Sequence, residues 1–155
     1  MLKDMIGKVE PEIWRVLKTY YQDSLALAQN KNEVSSIFKE SVGVKQCGPL
    51  SQKLFSISVE DLITKIMKTD LVAEIEGIKT GILMNADDLL LITESTKKME
   101  KVLHMCEEFG THTEIKFNPS IAEIMRINGT KKDEVKLELC GEEIDWVKKI
   151  KYLGV

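Results

Sequence analysis

The first regular pattern of apolar and polar positions follows Pro11, where apolar side chains recur at the spacing of one helical face. Proline is favoured in the first turn of a helix, so this stretch predicts a helix over residues 11–21. Two short apolar stretches, residues 25–29 and 34–38, come next and flank a polar run over residues 30–32. Because such a run suits a tight turn, we predict a β-hairpin here. The apolar positions of the helix are Ile13, Trp14, Val16, Leu17 and Tyr20.

A second helix is predicted after residues 43–51, whose glycine and proline content is typical of a loop. Apolar residues beyond this loop fall on one face of a helix that extends to about Met67. A loop followed directly by a long helix is therefore expected in this part of the chain. The apolar positions of this face are Leu54, Phe55, Val59, Leu62, Ile63, Ile66 and Met67.

Residues 72–78 and 81–93 have the pattern of β-strands, and the second stretch is interrupted in its middle by polar residues. Apolar arms at residues 82–84 and 89–92 lie on either side of the interruption. This arrangement predicts a turn at the centre of an apolar hairpin. The interrupting residues are Ala86, Asp87 and Asp88.

A third helix is expected from Ser95 or Thr96, either of which can cap it, to about Glu108, with Gly110 as a stop signal. Its inward positions are Met99, Val102, Leu103 and Cys106. Four strand-like stretches follow, with turns at Asn118-Pro119 and Asn128-Gly129; they are residues 114–117, 122–127, 135–139 and 149–155. Mixed helices and adjacent strands predict the α+β class, a mostly antiparallel sheet with helices packed on one face.

Length and composition narrow the class of protein. With 155 residues the chain is the size of one domain or part of one. A net charge of −3 argues against a self-sufficient nucleic-acid binder, because phosphate affinity depends on clustered Lys and Arg. Three widely spaced cysteines support neither a disulfide framework nor a zinc site. No apolar window is long enough to cross a membrane, so we expect an intracellular protein, cytoplasmic or nuclear, of undetermined oligomeric state.

Asp87 and Asp88 are the clearest candidates for chemistry. Two adjacent carboxylates at the turn of an apolar hairpin can face one point in the solvent, and Mg²⁺ prefers carboxylate and phosphate oxygens. Aspartate is also a common turn residue, so for the pair taken alone a purely structural role is the more frequent explanation.

Four segments in this order resemble the reverse transcriptases of non-LTR retrotransposons. Residues 43–51, followed by Leu54 and Phe55, are similar to the loop that lines the nucleotide and template in that family. Residues 83–92 look like the family's Tyr-Ala-Asp-Asp hairpin, residues 117–120 like the turn of its next motif, and residues 151–155 like its primer-gripping hairpin. The resemblance implies a partial polymerase palm, with a fingers and palm remnant at 1–40, palm at 41–128 and primer-grip-like hairpin at 129–155.

The resemblance also implies roles for individual residues. Asp87 and Asp88 would be the catalytic carboxylates and the ligands of Mg²⁺, with Asp87 the better placed. The activity implied is RNA-directed DNA polymerisation on an RNA template and a DNA primer, with weak or absent binding of both by this chain. Gln46 and Gly48 would contact the incoming nucleotide, while Tyr152, Leu153 and Gly154 would contact the primer.

Several positions depart from the family pattern. Asn85 replaces an aromatic residue that packs beneath primer and nucleotide, and Ile121 replaces a lysine proposed to protonate pyrophosphate. Cys47 and Gly48 stand in reversed order, Gln52 replaces a frequent proline, and the family's upstream aspartate is not present ahead of Pro11. We therefore expect Mg²⁺ to bind weakly or not at all. We also expect that the chain does not polymerise DNA alone, because such losses are typical of a decaying copy.

Two other functions remain open from the sequence. The same fold could serve as a non-catalytic RNA- or protein-binding module, or the chain could be an unrelated α+β interaction domain. His104 and His112 lack metal-ligand spacing and are expected at the surface, whereas Trp14 and Trp146 are expected in a core or at its rim.

Overall fold

A computed structural model of the protein describes residues 5–40, 48, 50–113, 115–130 and 134–154. The described part contains α-helices and short β-strands, which confirms the α+β class. The chain forms two compact units, residues 1–58 and residues 59–155. No helix in the described part is long and apolar enough to span a membrane.

In the first unit, α1 (Pro11–Gln22) begins at the proline, as predicted. The predicted hairpin is also confirmed, with β1 (Leu25–Ala26) antiparallel to β4 (Phe38–Lys39). Nearer the turn, β2 (Gln29–Asn30) pairs with β3 (Glu33–Val34). The core of this unit is small and consists of Met5, Leu17 and Leu54, with Val9, Trp14, Tyr21 and Ile57 packed against them.

The predicted second helix is α2 (Ser51–Met67). Its apolar face is buried at Leu54, Val59, Leu62 and Ile66, one or two turns apart, so the periodicity in the sequence located the inward face correctly. Most of the preceding loop, residues 43–47 and 49, lies outside the described residues.

The second unit departs from the predicted strands at its start. Residues 72–78 do not form one strand, because Glu76 and Gly77 both adopt left-handed φ values, 51° and 80°. Two consecutive left-handed residues make a tight hairpin turn. This turn joins β5 (Glu74–Ile75) to β6 (Ile78–Lys79).

Gly110 does not end the third helix, which runs as α3 over Thr96–Thr113. The physical reason is the path of the chain beyond the helix: a Cβ atom at position 110 would lie 2.6 Å from the Ile115 carbonyl oxygen. The glycine permits close approach of the following segment instead of reversing the backbone. The buried side chains of α3 are Val102, Leu103 and Cys106, as predicted.

Only two of the four strands predicted in the C-terminal third form, those within residues 122–127 and 135–139. Residues 115–118 are not a strand, and the Asn118 side chain accepts a hydrogen bond from the Ser120 amide at 3.1 Å and starts a 3₁₀ turn over Pro119–Ile121. Residues 149–154 pair with no described strand and end in a turn. The strands that form are β9 (Glu123–Met125), β10 (Glu138–Leu139), β11 (Glu142–Glu143) and β12 (Asp145–Val147).

Strand pairing in the described residues is antiparallel except between β9 and β12. The strands associate in pairs and do not join into one larger sheet. The larger core of the second unit lies between α3 and the chain that contains β9 and β10. Its buried members are Leu103, Ile124, Leu137, Leu139 and Ile144.

Candidate active site

The two candidate carboxylates lie at one end of a four-residue hairpin. Strand β7 (Ile82–Asn85) is antiparallel to β8 (Asp88–Leu91), and Asn85 pairs with Asp88 as the last rung. Ala86 and Asp87 therefore form the two-residue turn, and Ala86 takes a left-handed φ of 53°. The sequence had placed Asp88 within the turn, whereas it begins β8, because its backbone pairs with Asn85.

Alternating burial along β7 gives the hairpin an inner and an outer face. Ile82 and Met84 are half-buried, while Leu83 and Asn85 are exposed. Directly opposed residues of an antiparallel pair project from the same face, so Asn85 and Asp88 stand side by side on the outer face. Asp87 and Asp88 are both exposed, and both carboxylates are accessible to a ligand from solvent.

The donor set around these carboxylates is incomplete for a metal centre. Among the described residues, neither Asp87 nor Asp88 has a side-chain hydrogen bond or ion pair, and no three His, Cys, Asp or Glu side chains are grouped to hold a metal. The pair is of the chemical type that Mg²⁺ takes, since this ion is often bound through one or two carboxylates plus phosphates and water. The described residues supply that carboxylate part and no more.

The base of the hairpin is built by close backbone packing at Gly81. A Cβ atom there would lie 2.5 Å from both the Ala73 nitrogen and the Ile92 oxygen. Hydrogen bonds cross this point from the Ala73 amide to the Ile92 carbonyl at 2.9 Å and from the Ile92 amide to the Gly81 carbonyl at 2.8 Å. The sequence analysis missed Gly81, although a glycine just before a strand is a signal of close backbone approach.

The candidate nucleotide-binding residues lie in the other unit of the chain. Gln46 is outside the described residues. Gly48 is half-buried, and its carbonyl accepts a hydrogen bond from the Ser51 amide at 3.0 Å, at the start of α2. Gly48 belongs to the unit of residues 1–58, and the aspartates belong to that of residues 59–155.

The candidate primer-contacting residues form a turn. Tyr152 is half-buried, and Leu153 and Gly154 have left-handed φ values of 52° and 86°. Two consecutive left-handed residues are typical of a two-residue hairpin turn. No hydrogen bond within the described residues joins this turn to Asp87 or Asp88.

Position 121, expected to lack a general acid, lies on an exposed 3₁₀ turn. Ile121 is 77% exposed and has no proton to give. The two histidines are at the surface, as expected: His104 Nδ1 lies 3.3 Å from a Glu107 oxygen, and His112 Nδ1 lies 2.6 Å from the Glu108 carbonyl.

The two tryptophans lie at core rims, as expected. Trp14 packs against the small core of the first unit. Trp146 packs against the larger core of the second unit and donates from its indole nitrogen to the Val135 carbonyl at 3.0 Å.

Cys106 and Glu108 of α3 have shifted pKa values. Burial raises the pKa of Cys106 to about 12, with smaller contributions from Glu107 and Cys140. A hydrogen bond from Lys65 lowers the pKa of the Glu108 carboxyl, and the two groups are 3.1 Å apart. The first shift reflects burial and the second an exposed ion pair, and neither assigns a catalytic role.

Comparison with known proteins places the chain in a family. A family model described as reverse transcriptase (RNA-dependent DNA polymerase) matches residues 7–155. The "Transposon TX1 uncharacterized 149 kDa protein" of Xenopus laevis is 25% identical, over 94% of this chain and 11% of that relative. The chain thus spans about a tenth of the length of the curated relative it matches. The unrelated-domain alternative is wrong, the predicted kinship with retrotransposon reverse transcriptases is confirmed, and the chain belongs to the reverse transcriptase family.

Proposed function

We propose that this chain is a palm segment of a retrotransposon-type reverse transcriptase, ancestrally a polymerase acting by two-metal nucleotidyl transfer, and that it does not polymerise DNA by itself. The observation that carries the proposal is the exposed Asp87-Asp88 pair at the end of a short apolar hairpin, within a chain that the family model matches. In this proposal residues 1–40 are a fingers and palm remnant, residues 41–128 the palm, and residues 129–155 a primer-grip-like segment.

Asp87 and Asp88 are the residues that would hold Mg²⁺. A bound pair of such ions stabilises both the attacking and the leaving oxygen of a phosphoryl transfer. In this proposal the protein presents two carboxylates, without hydrogen bonds or ion pairs to other described side chains, at the end of a short hairpin. Because Mg²⁺ demands a near-octahedral set of oxygens, two adjacent carboxylates bind it weakly without further ligands.

The remaining contacts of the proposal follow the family pattern. Gln46 and Gly48 would lie against the nucleotide, and Tyr152, Leu153 and Gly154 against the primer. The partners would be an RNA template and a DNA primer. A net charge of −3 makes their binding to this chain weak, since phosphate contacts depend on basic side chains.

Two residues that differ from the family pattern at functional positions support the proposed loss of activity. Asn85 stands beside Asp88 on the outer face of the hairpin and offers no aromatic surface against which primer and nucleotide could pack. Ile121 is exposed where the family carries a lysine, and an aliphatic side chain cannot protonate a leaving pyrophosphate. The apolar pattern of the hairpin persists around Asn85, which is what we expect of a decaying copy.

Primer extension on an RNA template tests this proposal. The chain as it stands should give no extension, whereas a version with Asn85→Tyr, Ile121→Lys and the family's upstream aspartate-bearing strand should extend the primer. The matched control carries the same restorations together with Asp87→Asn, and it should be inactive. A folded restored protein that fails to extend, or one that extends equally well with Asp87→Asn, contradicts the proposal.

A non-catalytic binding module is the second candidate, favoured by exposed apolar side chains in the first unit. Val16 on α1 is 69% exposed and Ile37 in the hairpin arm is 67% exposed. A partner that covered these side chains would remove their apolar surface from water, which favours association. An RNA-binding module predicts salt-sensitive RNA binding by the chain, and a protein-binding module predicts none.

A further inference from the structure

The segment that follows α2 receives two lysine ammonium groups from different directions. Lys79 Nζ donates to the Met67 carbonyl at 2.6 Å and also to the Thr69 carbonyl. Lys98 Nζ donates to the Asp70 carbonyl at 2.6 Å. Three backbone oxygens within four residues are thus bound by side chains that lie far apart in the sequence.

One of these contacts satisfies the carbonyl of the last residue of α2, and the other two bind carbonyls of the residues that follow it. The last carbonyls of an α-helix have no hydrogen-bond donor within the helix and carry partial negative charge, so cations are favourable there. Met67 is the last residue of α2, and Lys79 and Lys98 are both half-buried. Glu94 holds the Lys98 ammonium from the other side at 2.9 Å.

The two lysines flank the aspartate hairpin, Lys79 ahead of its first strand and Lys98 beyond its second. Lys79 ends β6, three residues before β7, and Lys98 lies in the first turn of α3, just after β8. The segment they bind leads directly to Ala73, whose amide donates to the Ile92 carbonyl at the base of the hairpin. The chain on either side of the hairpin is therefore bound to the same short segment.

We propose that Lys79 and Lys98 form a clamp that positions the Asp87-Asp88 turn by fixing the chain on either side of its hairpin to the end of α2. The two lysines are positioning residues, since neither contacts the aspartates. The role rests on the proposed function, because it is for metal binding that the carboxylates need a fixed position. Hydrogen bonds from charged donors to backbone oxygens are stronger than neutral ones, so two of them can hold a short hairpin that has few other anchors.

Amide hydrogen exchange tests the clamp without any need for activity. The variants are Lys79→Met, Lys98→Met and both together, with Lys97→Met as a control of the same charge change on an exposed neighbour. In the double variant the Ala73 and Ile92 amides should exchange at least about tenfold faster, because local opening becomes easier. The Leu103 amide in the middle of α3 should be unaffected. Lys79→Arg, which keeps a charged donor, should preserve protection at Ala73 and Ile92.

Unchanged exchange at Ala73 and Ile92 overturns the clamp. An equal acceleration at Leu103 also overturns it, because that result indicates only global destabilisation. A Mg²⁺ titration separates this test from the proposed function. If Mg²⁺ shifts the Asp87 and Asp88 resonances of the unsubstituted chain, the double variant should respond severalfold more weakly. If the unsubstituted chain gives no response, the metal part of the proposed function fails, and the exchange data still decide whether the clamp exists.

Discussion

Replacing Gly81 with alanine should destabilise the base of the aspartate hairpin. The added Cβ would lie 2.5 Å from the Ala73 nitrogen, 2.5 Å from the Ile92 oxygen and 2.7 Å from the Val72 Cβ. Two of these three atoms are backbone and cannot rotate away, and Val72 is only 3% exposed. The backbone at Gly81 does not have a left-handed φ, so the effect is one of space alone.

Overpacking of a tight site costs about 1–3 kcal/mol. The clash also lengthens the hydrogen bonds that join Ala73, Ile92 and Gly81, each of which contributes about 1 kcal/mol. We therefore expect Gly81→Ala to lower the free energy of unfolding by about 2–4 kcal/mol. Urea denaturation followed by circular dichroism measures this quantity.

Gly77→Ala is the matched control, because position 77 has the opposite combination of features. Its φ is 80°, and nothing lies within 4 Å of an added Cβ. Only backbone strain applies there, about 1–2 kcal/mol for an L residue in the left-handed region. A loss below about 1 kcal/mol for Gly81→Ala would refute the close packing at the hairpin base.

Three further predictions concern single sites. Ala86→Gly removes the strain of a φ of 53° and should raise the free energy of unfolding by about 0.5–1 kcal/mol; a lower melting temperature contradicts this. Lys65→Met removes the hydrogen bond that lowers the pKa of Glu108, so this pKa should rise in an NMR titration. In the unsubstituted protein the pair stabilises the fold until the pH falls through the lowered pKa, and this contribution should vanish in the variant. A thiol reagent near neutral pH should label the exposed Cys140 and spare Cys106, because Cys106 is buried and burial raises its pKa to about 12, which keeps the thiol protonated; equal labelling in the folded protein counts against that packing.

Local patterns in the sequence predicted the helices and the position of the aspartate turn. The face of α2 that contains Leu54, Leu62 and Ile66 is periodic, and periodicity reports burial directly. Asp87 and Asp88 stood out because two charged residues interrupt an otherwise apolar stretch. Their assignment as metal ligands came from the family resemblance and remains a prediction.

Features that depend on distant partners could not be predicted. Glycine often ends a helix, but Gly110 instead allows the Ile115 carbonyl to approach the helix, and the pattern of the sequence does not show this approach. Residues 149–154 have apolar and polar positions typical of a strand, yet a strand also needs a hydrogen-bonding neighbour. Lys79 and Lys98 look like ordinary surface lysines in the sequence, and only the fold brings both to the end of α2.

The most direct test of the central claim is a Mg²⁺ titration of the isotope-labelled chain, followed by NMR at every backbone amide. We predict weak, saturable shifts confined to residues 85–88 and abolished by Asp87→Asn with Asp88→Asn. Shifts that survive this double substitution, or that appear equally at other surface carboxylates such as Glu142 and Glu143, would contradict the assignment of the hairpin as the remnant of a polymerase metal site.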